Sequence, residues 1–301
     1  MRRLFKTLLV LVIIAIAGYY PLVLHSPEPA KTPYVIDIAK IRELSTRLPG
    51  PLPYEIRVEK VAELEFAEAM VMAGEPWQGT PIPIYSYKLV VPGSSIIVDS
   101  AVSSTDGVPG FMVTSFDPVA YERMNKAMEG ASQIVITHEH FDHIAGILDH
   151  PNLKQILPAV QLTKEQLKHT DRMLPASLPE DVFDDYQALE YEGLHALAPG
   201  VVLIEAPGHT PGSQMVYVRL SDGREVLLLG DVAWQNRNIE AVKERPLFMT
   251  AMIRENRRQV IEQFQALHEL AKQAPEIKQV PGHDGAVVKH LVETGYLNQG
   301  F

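Results

Sequence analysis

The sequence predicts an α/β (α+β) fold, a sandwich with sheets inside and helices outside, and three patterns predict it. Short apolar or alternating runs typical of strands recur from about residue 54 onward. Some of these runs are separated only by a turn and are expected to pair as hairpins. Segments with apolar residues at helical spacing stand between them. Strands interleaved with helices in this way favour a mixed fold over an all-helical or all-strand one.

The strand predictions rest on runs that are short and rich in β-branched residues. Residues 56–61 alternate apolar and polar side chains, as a half-buried strand does. Residues 216–230 carry two apolar runs on either side of a turn that contains Gly223, which predicts a hairpin. The remaining strands are predicted at 82–91, 94–100, 133–137, 201–206 and 277–280.

The helix predictions rest on start signals and on amphipathic spacing. Asp117–Pro118 supplies an N-cap and a proline at the first helical position, which predicts a helix through about Glu129. Thr163 and Gln166 have the spacing of a capping box, which predicts the start of another helix. Residues 252–274 place their apolar side chains on one face and predict a longer amphipathic helix.

The beginning of the chain differs in kind from the rest. The head contains Arg2, Arg3 and Lys6, and residues 7–24 then run without a charge. A basic head before an apolar stretch is the layout of an export signal, and residues 15–17 would suit cleavage. The run is also long enough to span a bilayer, so a retained membrane anchor is the alternative. In either case the rest of the chain is expected on the periplasmic or extracellular side.

The chain divides into three expected segments, and its composition and charge exclude several classes of function. We expect a signal peptide or anchor at 1–24, a linker at 25–53 and the folded domain at 54–301. The net charge of −10 becomes −13 without the three basic residues of the head, which argues against a nucleic-acid partner. The chain has no cysteine, so disulfides, thiolate metal ligands and cysteine nucleophiles are excluded.

Histidines and aspartates gather where four of the predicted strands end. Residues 138–143 hold three histidines and an aspartate directly after one strand. His209, Asp231 and His283 each follow a later strand. Loops at the strand ends along one edge of a sheet converge on a shared crevice. Imidazole and carboxylate are ligands that zinc, iron and manganese accept, so the sequence predicts a metal site there.

These residues resemble the metallo-β-lactamase superfamily of hydrolases, and the resemblance covers residues 54–301. It implies a four-layer αβ/βα sandwich with two divalent metal ions at its edge, Zn²⁺ first, with iron or manganese as alternatives. Three histidines would bind one ion: His138, His140 and His209. Three further residues would bind the second: Asp142, His143 and His283. Asp231 would bridge the two ions.

The resemblance also implies the reaction. Two such ions can share a water and lower its pKa, which gives a bridging hydroxide that attacks a carbonyl carbon. Asp142 and Asp231 are the predicted catalytic carboxylates, and Asp142 would pass a proton to the leaving group. Asp99 matches the position where the family keeps a carboxylate that orients a ligand histidine, with a plain strand-end aspartate as the alternative. The predicted substrate is a carboxylic ester, a lactone first and other esters as the alternative.

Within the superfamily, the segment after Asp231 and the ending at 281–285 are similar to those of quorum-quenching lactonases. Those enzymes carry a tyrosine three residues past the aspartate, where this chain has Trp234. An indole N–H donates a hydrogen bond but does not exchange a phenolic proton. Trp234 is therefore predicted to line an apolar acyl pocket, with plain packing as the alternative.

Other readings of the same ligands remain open. Glyoxalase-like thioesterases share nearly all of them, and mononuclear-iron persulfide (sulfur) dioxygenases share many. The number and identity of the bound metals would separate these alternatives from a dinuclear hydrolase. A true β-lactamase is disfavoured because the dinuclear kind often has cysteine at the position of Asp231. A non-catalytic binding protein is disfavoured because every ligand position is intact.

Overall fold

The computed structural model describes residues 2–29, 34–183 and 185–301. Its α-helices are α1 (Arg2–Tyr19), α2 (Ile38–Ser45), α3 (Glu68–Val71), α4 (Pro118–Glu129), α5 (Phe141–Leu148), α6 (Leu153–Ile156), α7 (Lys164–Lys168), α8 (Glu180–Phe183), α9 (Asn236–Ala241), α10 (Leu247–Met252), α11 (Arg257–Gln273) and α12 (Gly285–Glu293). Its strands are β1 (Glu55–Ala67), β2 (Gly79–Val91), β3 (Ser94–Val98), β4 (Val113–Phe116), β5 (Gln133–Val135), β6 (Val160–Gln161), β7 (Leu194–Ala198), β8 (Val201–Glu205), β9 (Gln214–Arg219), β10 (Glu225–Gly230), β11 (Ile277–Pro281) and β12 (Asn298–Gln299).

The strands form two sheets. The first runs in the order β12-β1-β2-β3-β5-β6, with β4 paired to β1. The second runs in the order β11-β10-β9-β8-β7. Most neighbours are antiparallel, but β3, β5 and β6 are parallel, and so are β10 with β11 and β1 with β12. The loops that follow β3, β5, β10 and β11 therefore start from parallel neighbours, which brings their first residues to shared sheet edges.

The two sheets pack face to face, and helices cover their outer faces. Val201 and Leu203 point inward to the core between the sheets, whereas Val202 and Ile204 of the same strand point outward. The outward side chains meet the apolar face of α11, where Phe264 is fully buried. Strands buried on both faces need apolar residues at every position, which this run supplies. The predicted four-layer sandwich is confirmed.

The predicted helix starts are present. The Asp117 carboxylate accepts hydrogen bonds from the backbone nitrogens of Val119 and Ala120, at 2.9 and 3.0 Å, and caps α4. At the start of α7, the Thr163 hydroxyl accepts from the backbone nitrogen of Gln166 at 3.1 Å, and the Gln166 side chain accepts from the Thr163 nitrogen at 2.9 Å. The capping box predicted from the sequence is therefore confirmed.

The long helix predicted at 252–274 begins later than expected. Arg254 has a positive φ of 56°, which interrupts the helix, and the Asn256 side chain then caps α11 by accepting from the backbone nitrogen of Gln259. Ile253, predicted on the apolar face, lies between α10 and α11 instead. The break matters for the site, because it frees the intervening Glu255 to turn inward.

The segment predicted as a linker, 25–53, contains a packed helix, and its residues 30–33 lie outside the described residues. Helix α2 buries Ile41 and Leu44 against the second sheet. Its Arg42 makes a two-pronged ion pair with Glu225 on β10. Apolar side chains at helical spacing on one face give α2 a surface that the sheet covers.

The apolar run at 7–24 forms most of α1 and a π-helical turn over Tyr20–Leu24. Val23 in this turn is buried, and its carbonyl accepts a hydrogen bond from the backbone nitrogen of Gly74 at 3.0 Å. No helix in the described ranges is both long enough and apolar enough to cross a bilayer.

Candidate metal centre

The predicted ligands lie together at one edge of the sandwich. His138 and His140 stand in the loop between β5 and α5, and Asp142 and His143 lie in the first turn of α5. Three later residues follow strands of the second sheet: His209 after β8, Asp231 after β10 and His283 after β11. The ligand atoms form two groups, in each of which every pair of atoms lies within 4.8 Å.

The first group contains three imidazoles. Nε2 of His138 lies 3.2 Å from Nδ1 of His140, and Nε2 of His209 lies 3.0 Å from the same Nδ1. His138 and His209 are fully buried, and His140 is half-buried. His140 therefore presents its Nδ1 to the group, whereas the other two present Nε2.

The second group combines a carboxylate with two imidazoles. Oδ2 of Asp142 lies 3.6 Å from Nε2 of His143 and 3.5 Å from Nε2 of His283. The Asp142 side chain is 16% exposed, whereas those of His143 and His283 are 4% and 2% exposed. Asp142 is thus the member of this group that faces the solvent side of the site.

The Asp231 carboxylate stands between the two groups. Its Oδ1 lies 3.2 Å from Nε2 of His143 and 3.0 Å from Nε2 of His283. Its Oδ2 lies 3.4 Å from Nε2 of His209 and 3.9 Å from Nε2 of His138. Oδ2 also lies 3.3 Å from Nε2 of His283. Oδ1 thus faces the second group, whereas Oδ2 lies between the two groups, so the carboxylate is within reach of both, as a bridging ligand must be.

The residues fit a pair of divalent ions. Nε2 of His143 and Oδ1 of Asp231 are buried, and within the described residues neither has a hydrogen-bond partner. Buried polar atoms without a partner are costly, and both of these point into the second group. The donor set is nitrogen and oxygen, which suits zinc, iron or manganese. Two groups that share one carboxylate offer ligands for two ions.

Charges around the site shift the pKa values of its members in opposite directions. Burial lowers the pKa of His138 and of His140 well below the ordinary value, and neighbouring histidines add to this. Burial also acts on His143, but the charges of Asp99, Asp231 and Asp142 outweigh it and raise the His143 pKa. Burial would raise the pKa of Asp231, yet the surrounding histidines hold it well below its usual range. The first group thus favours neutral imidazoles beside an ionised carboxylate.

Partners behind the ring nitrogens orient the histidines. Nδ1 of His143 lies 2.8 Å from Oδ2 of Asp99, the carboxylate predicted for this purpose. Nδ1 of His283 lies 2.8 Å from the carbonyl oxygen of Pro83. An outer partner of this kind fixes the tautomer and the orientation of a ligand ring. The Asp99 carboxylate thus lies behind the His143 ring, and its backbone is left-handed, with φ 60°.

Trp234 contacts the site through its ring nitrogen. Nε1 of Trp234 donates to Oδ2 of Asp231 at 2.6 Å, and the residue is 5% exposed. Its ring packs edge-on against Phe66, with the centroids 5.7 Å apart. The indole therefore lies behind the Asp231 carboxylate, and its N–H is used there.

Two buried glutamates that contact the site, Glu255 and Glu139, are not predicted from the sequence. Oε2 of Glu255 lies 2.7 Å from Nδ1 of His209. Glu139 accepts from the Thr210 hydroxyl at 2.6 Å and from the backbone nitrogen of Gly212 at 3.2 Å, so it joins the two histidine loops. Glu139 lies between His138 and His140, and this position in the histidine motif could have identified it as a candidate.

Comparison with known proteins agrees with this geometry. Residues 79–283 match the model of the metallo-beta-lactamase superfamily. An N-acyl homoserine lactonase of Bacillus sp is 27% identical over 180 residues, which is 55% of this chain and 70% of that protein. An N-acyl homoserine lactonase of Bacillus thuringiensis is 26% identical over 174 residues, 53% of this chain and 67% of that protein.

Solved structures share the fold. An N-acyl homoserine lactone hydrolase with N-hexanoyl-L-homoserine at its metal centre is 19% identical, with a TM-score of 0.61, and the match covers 79% of this chain and 96% of that one. A dizinc quorum-quenching lactonase is 13% identical, with a TM-score of 0.54, over 77% and 87% of the two chains. The predicted resemblance and the metal-dependent hydrolase class are confirmed at the level of the family. The chain belongs to the metallo-beta-lactamase superfamily.

Proposed function

We propose that this protein is a dinuclear zinc hydrolase that opens lactones, with N-acyl homoserine lactones as the substrate class. The position of Asp231 carries the proposal, because its carboxylate lies between the two ligand groups and within 3.4 Å of a histidine nitrogen in each. The lactonases that resemble this chain over more than half of its length support the substrate class. The mononuclear-iron dioxygenase alternative requires only one of the two groups.

Bound divalent ions would supply an acidic water and a positive charge that polarises the ester carbonyl. Hydrolysis adds one water across the acyl C–O bond, so the acyl carbon gains a hydroxyl and the ring oxygen gains a proton. We propose that Asp142 carries that proton, and the support is that its side chain is the most exposed of the second group. His140 and Phe141, both half-buried, mark the same open side of the site.

Asp99 and Trp234 would act behind the ligands. Asp99 holds the ring of His143, and Trp234 donates to Asp231. Trp234 therefore does not replace the lactonase tyrosine as a donor to the substrate carbonyl, since Asp231 already occupies its single N–H. Orientation of the carbonyl in this chain would depend on the ligand groups themselves.

We also propose that residues 1–24 direct export of the chain. The support is the sequence pattern alone, a basic head before an uncharged apolar run. The folded hydrolase would then act on the periplasmic or extracellular side on a diffusible small molecule. Detection of the mature N-terminus by mass spectrometry of the expressed protein would test this, since an intact N-terminus on cytoplasmic protein would contradict export.

Metal analysis and a substrate panel test the function together. We expect two zinc ions per chain and acid release from a long-chain N-acyl homoserine lactone, faster than from an aryl ester or a glutathione thioester. Loss of a ligand in His138→Ala or Asp231→Asn should lower kcat/KM by more than about 10³-fold. The exposed His290 provides the matched control, and His290→Ala should keep wild-type activity.

Two outcomes would contradict the proposal. One bound iron with oxygen consumption on a persulfide would place the chain with the dioxygenases. Preference for the thioester with two ions bound would keep the metal site and replace the lactone by a glyoxalase-like substrate.

A further inference from the structure

The side chain of Arg245 is the largest among those that are fully buried in the described part of the chain. Its Nη2 donates to the backbone carbonyl oxygen of Asp231 at 2.7 Å. Its Nη1 donates to Oε2 of Glu255 at 2.9 Å, the same oxygen that lies 2.7 Å from Nδ1 of His209. One guanidinium therefore contacts the predicted ligand Asp231 directly and the predicted ligand His209 through Glu255.

The same guanidinium lies over the ring of Trp234, with Cζ 4.5 Å from the ring centroid. Trp234 in turn donates from Nε1 to Oδ2 of Asp231 at 2.6 Å. Asp231 is thus held twice, at its backbone by Arg245 and at its side chain by the indole that Arg245 covers. The two residues form a stacked pair behind the predicted bridging carboxylate.

Only an arginine suits this position. Its planar fork donates in two directions while its face stacks on an aromatic ring, which an ammonium group does not reproduce. A buried positive charge needs buried counter-charge, and two glutamates at 0% side-chain exposure lie beside it, Glu255 at 2.9 Å and Glu244 at 3.5 Å. Left-handed residues bound this segment, with Val242 at φ 47° before Arg245 and Arg254 at φ 56° before Glu255.

We propose that Arg245 and Trp234 are positioning residues that fix Asp231 between the two metal groups, and that Arg245 acts on His209 through Glu255. The inference rests on the proposed dinuclear site. Neither side chain needs to touch an ion or the substrate, because both act on a ligand through hydrogen bonds. Partners of this kind typically change metal affinity by about 10- to 100-fold.

Zinc affinity in two conservative variants tests the pair. Trp234→Phe keeps an aromatic ring under the guanidinium and removes the N–H together with part of the ring. Arg245→Lys keeps the charge and removes the fork. Competition with a chromogenic chelator should show zinc affinity about 10- to 100-fold weaker in both variants. The ligand-field spectrum of the dicobalt forms should change as well, because the geometry at Asp231 changes.

Arg123→Lys is the matched control. Arg123 also pairs with a glutamate, donating to Glu59 of the first sheet at 2.7 and 3.1 Å, but it is not among the residues of the site. This variant should bind zinc as the wild type does. Unfolding of the metal-free proteins separates an effect on the site from an effect on the fold, since Trp234→Phe should lose metal affinity by more than its metal-free stability accounts for.

If Trp234→Phe binds zinc as tightly as the wild type and its cobalt spectrum is unchanged, the proposed role of the pair is wrong. The same result in Arg245→Lys would overturn the role of Arg245 alone. If Arg245→Lys does not fold, Trp234→Phe decides. Wild-type protein that binds fewer than two ions would overturn the proposed function and this inference with it. Normal zinc binding by the wild type and by all variants would overturn the inference alone.

Discussion

The buried carboxylate of Asp99 holds the ring of His143 from behind, with Oδ2 2.8 Å from Nδ1. The other oxygen of Asp99 accepts from the backbone nitrogen of Thr137 at 2.6 Å, at the start of the histidine loop. A single side chain therefore joins the end of β3 to the loop that follows β5. Asp99 sets both the orientation of one ligand and the path of the chain that carries three others.

Asp99→Asn should weaken metal binding by the second group, which contains His143. Asparagine tolerates the left-handed backbone of this position, so the change removes the charge with little backbone strain. Its amide would place a donor against the donors of Thr137 or His143. We expect metal affinity to fall by about 10- to 100-fold, measured by zinc competition. Equal affinity in Asp99→Asn and wild type would show that this carboxylate is an ordinary strand-end residue.

Gly282→Ala should damage the site without removing a polar group. A Cβ at this position would lie 2.4 Å from Oδ1 of Asp231 and 2.9 Å from the carbonyl oxygen of Gly230. The Asp231 carboxylate must then move, and a displacement of about 1 Å typically costs about 10²-fold in rate. We expect that loss in kcat/KM for lactone hydrolysis.

Gly110→Ala is the control for this glycine, because an added Cβ there meets no atom of the described residues within 4 Å. Its activity should match the wild type. Normal hydrolysis by Gly282→Ala would mean that the carboxylate has room to shift, against the close packing seen around it.

Arg42→Ala should destabilise the fold by about 1–3 kcal/mol, because it leaves the nearly buried Glu225 without its charged partner. Lys40→Ala on the same helix removes only an exposed pair with Glu43 and should cost at most about 0.5 kcal/mol. Urea unfolding at neutral pH measures both. Equal stability of the two variants would show that α2 contributes little to the domain.

The same ion pair predicts a pH dependence. Burial would raise the pKa of Glu225, but the hydrogen bonds from Arg42 and Tyr217 outweigh it and lower the pKa in the folded state. A lowered folded pKa contributes stability above the unfolded value, about 4.3, and this contribution is lost as the pH falls through the folded pKa. Stability should therefore fall more steeply below about pH 5 in the wild type than in Glu225→Gln. Parallel pH profiles would contradict this.

Deletion of residues 1–26 should destabilise the protein, whereas deletion of 1–19 should not. The Glu244 backbone nitrogen donates to the Ser26 hydroxyl at 2.8 Å, and Arg257 donates to the His25 carbonyl at 2.9 Å. These bonds and the burial of Val23 together suggest a cost of about 3 kcal/mol. Urea unfolding of the two truncated chains tests this, and equal stability would show that the segment is dispensable.

The sequence predicts well which candidate ligands lie together at the site, and it predicts poorly which residues support them. The ligands are visible because a short motif and isolated strand-end residues of the right chemistry mark them. Asp99 is found for the same reason, since it ends a strand. Glu255 is missed because it lies within the helix predicted at 252–274. Arg245 is missed because it acts through contacts across the fold, which no local pattern marks. The interruption at Arg254 depends on tertiary contacts, which override helical spacing.

The two sheets share the ligands unequally, and this has a mechanical consequence. His138, His140, Asp142 and His143 extend from the first sheet, whereas His209, Asp231 and His283 extend from the second. Each half of the sandwich alone carries an incomplete set. Ions held at this edge would cross-link the two sheets, because each ion would take ligands from both. Assembly of the sandwich and assembly of the reactive centre are then a single event, and a fragment that contained only one sheet would have no place to hold the pair.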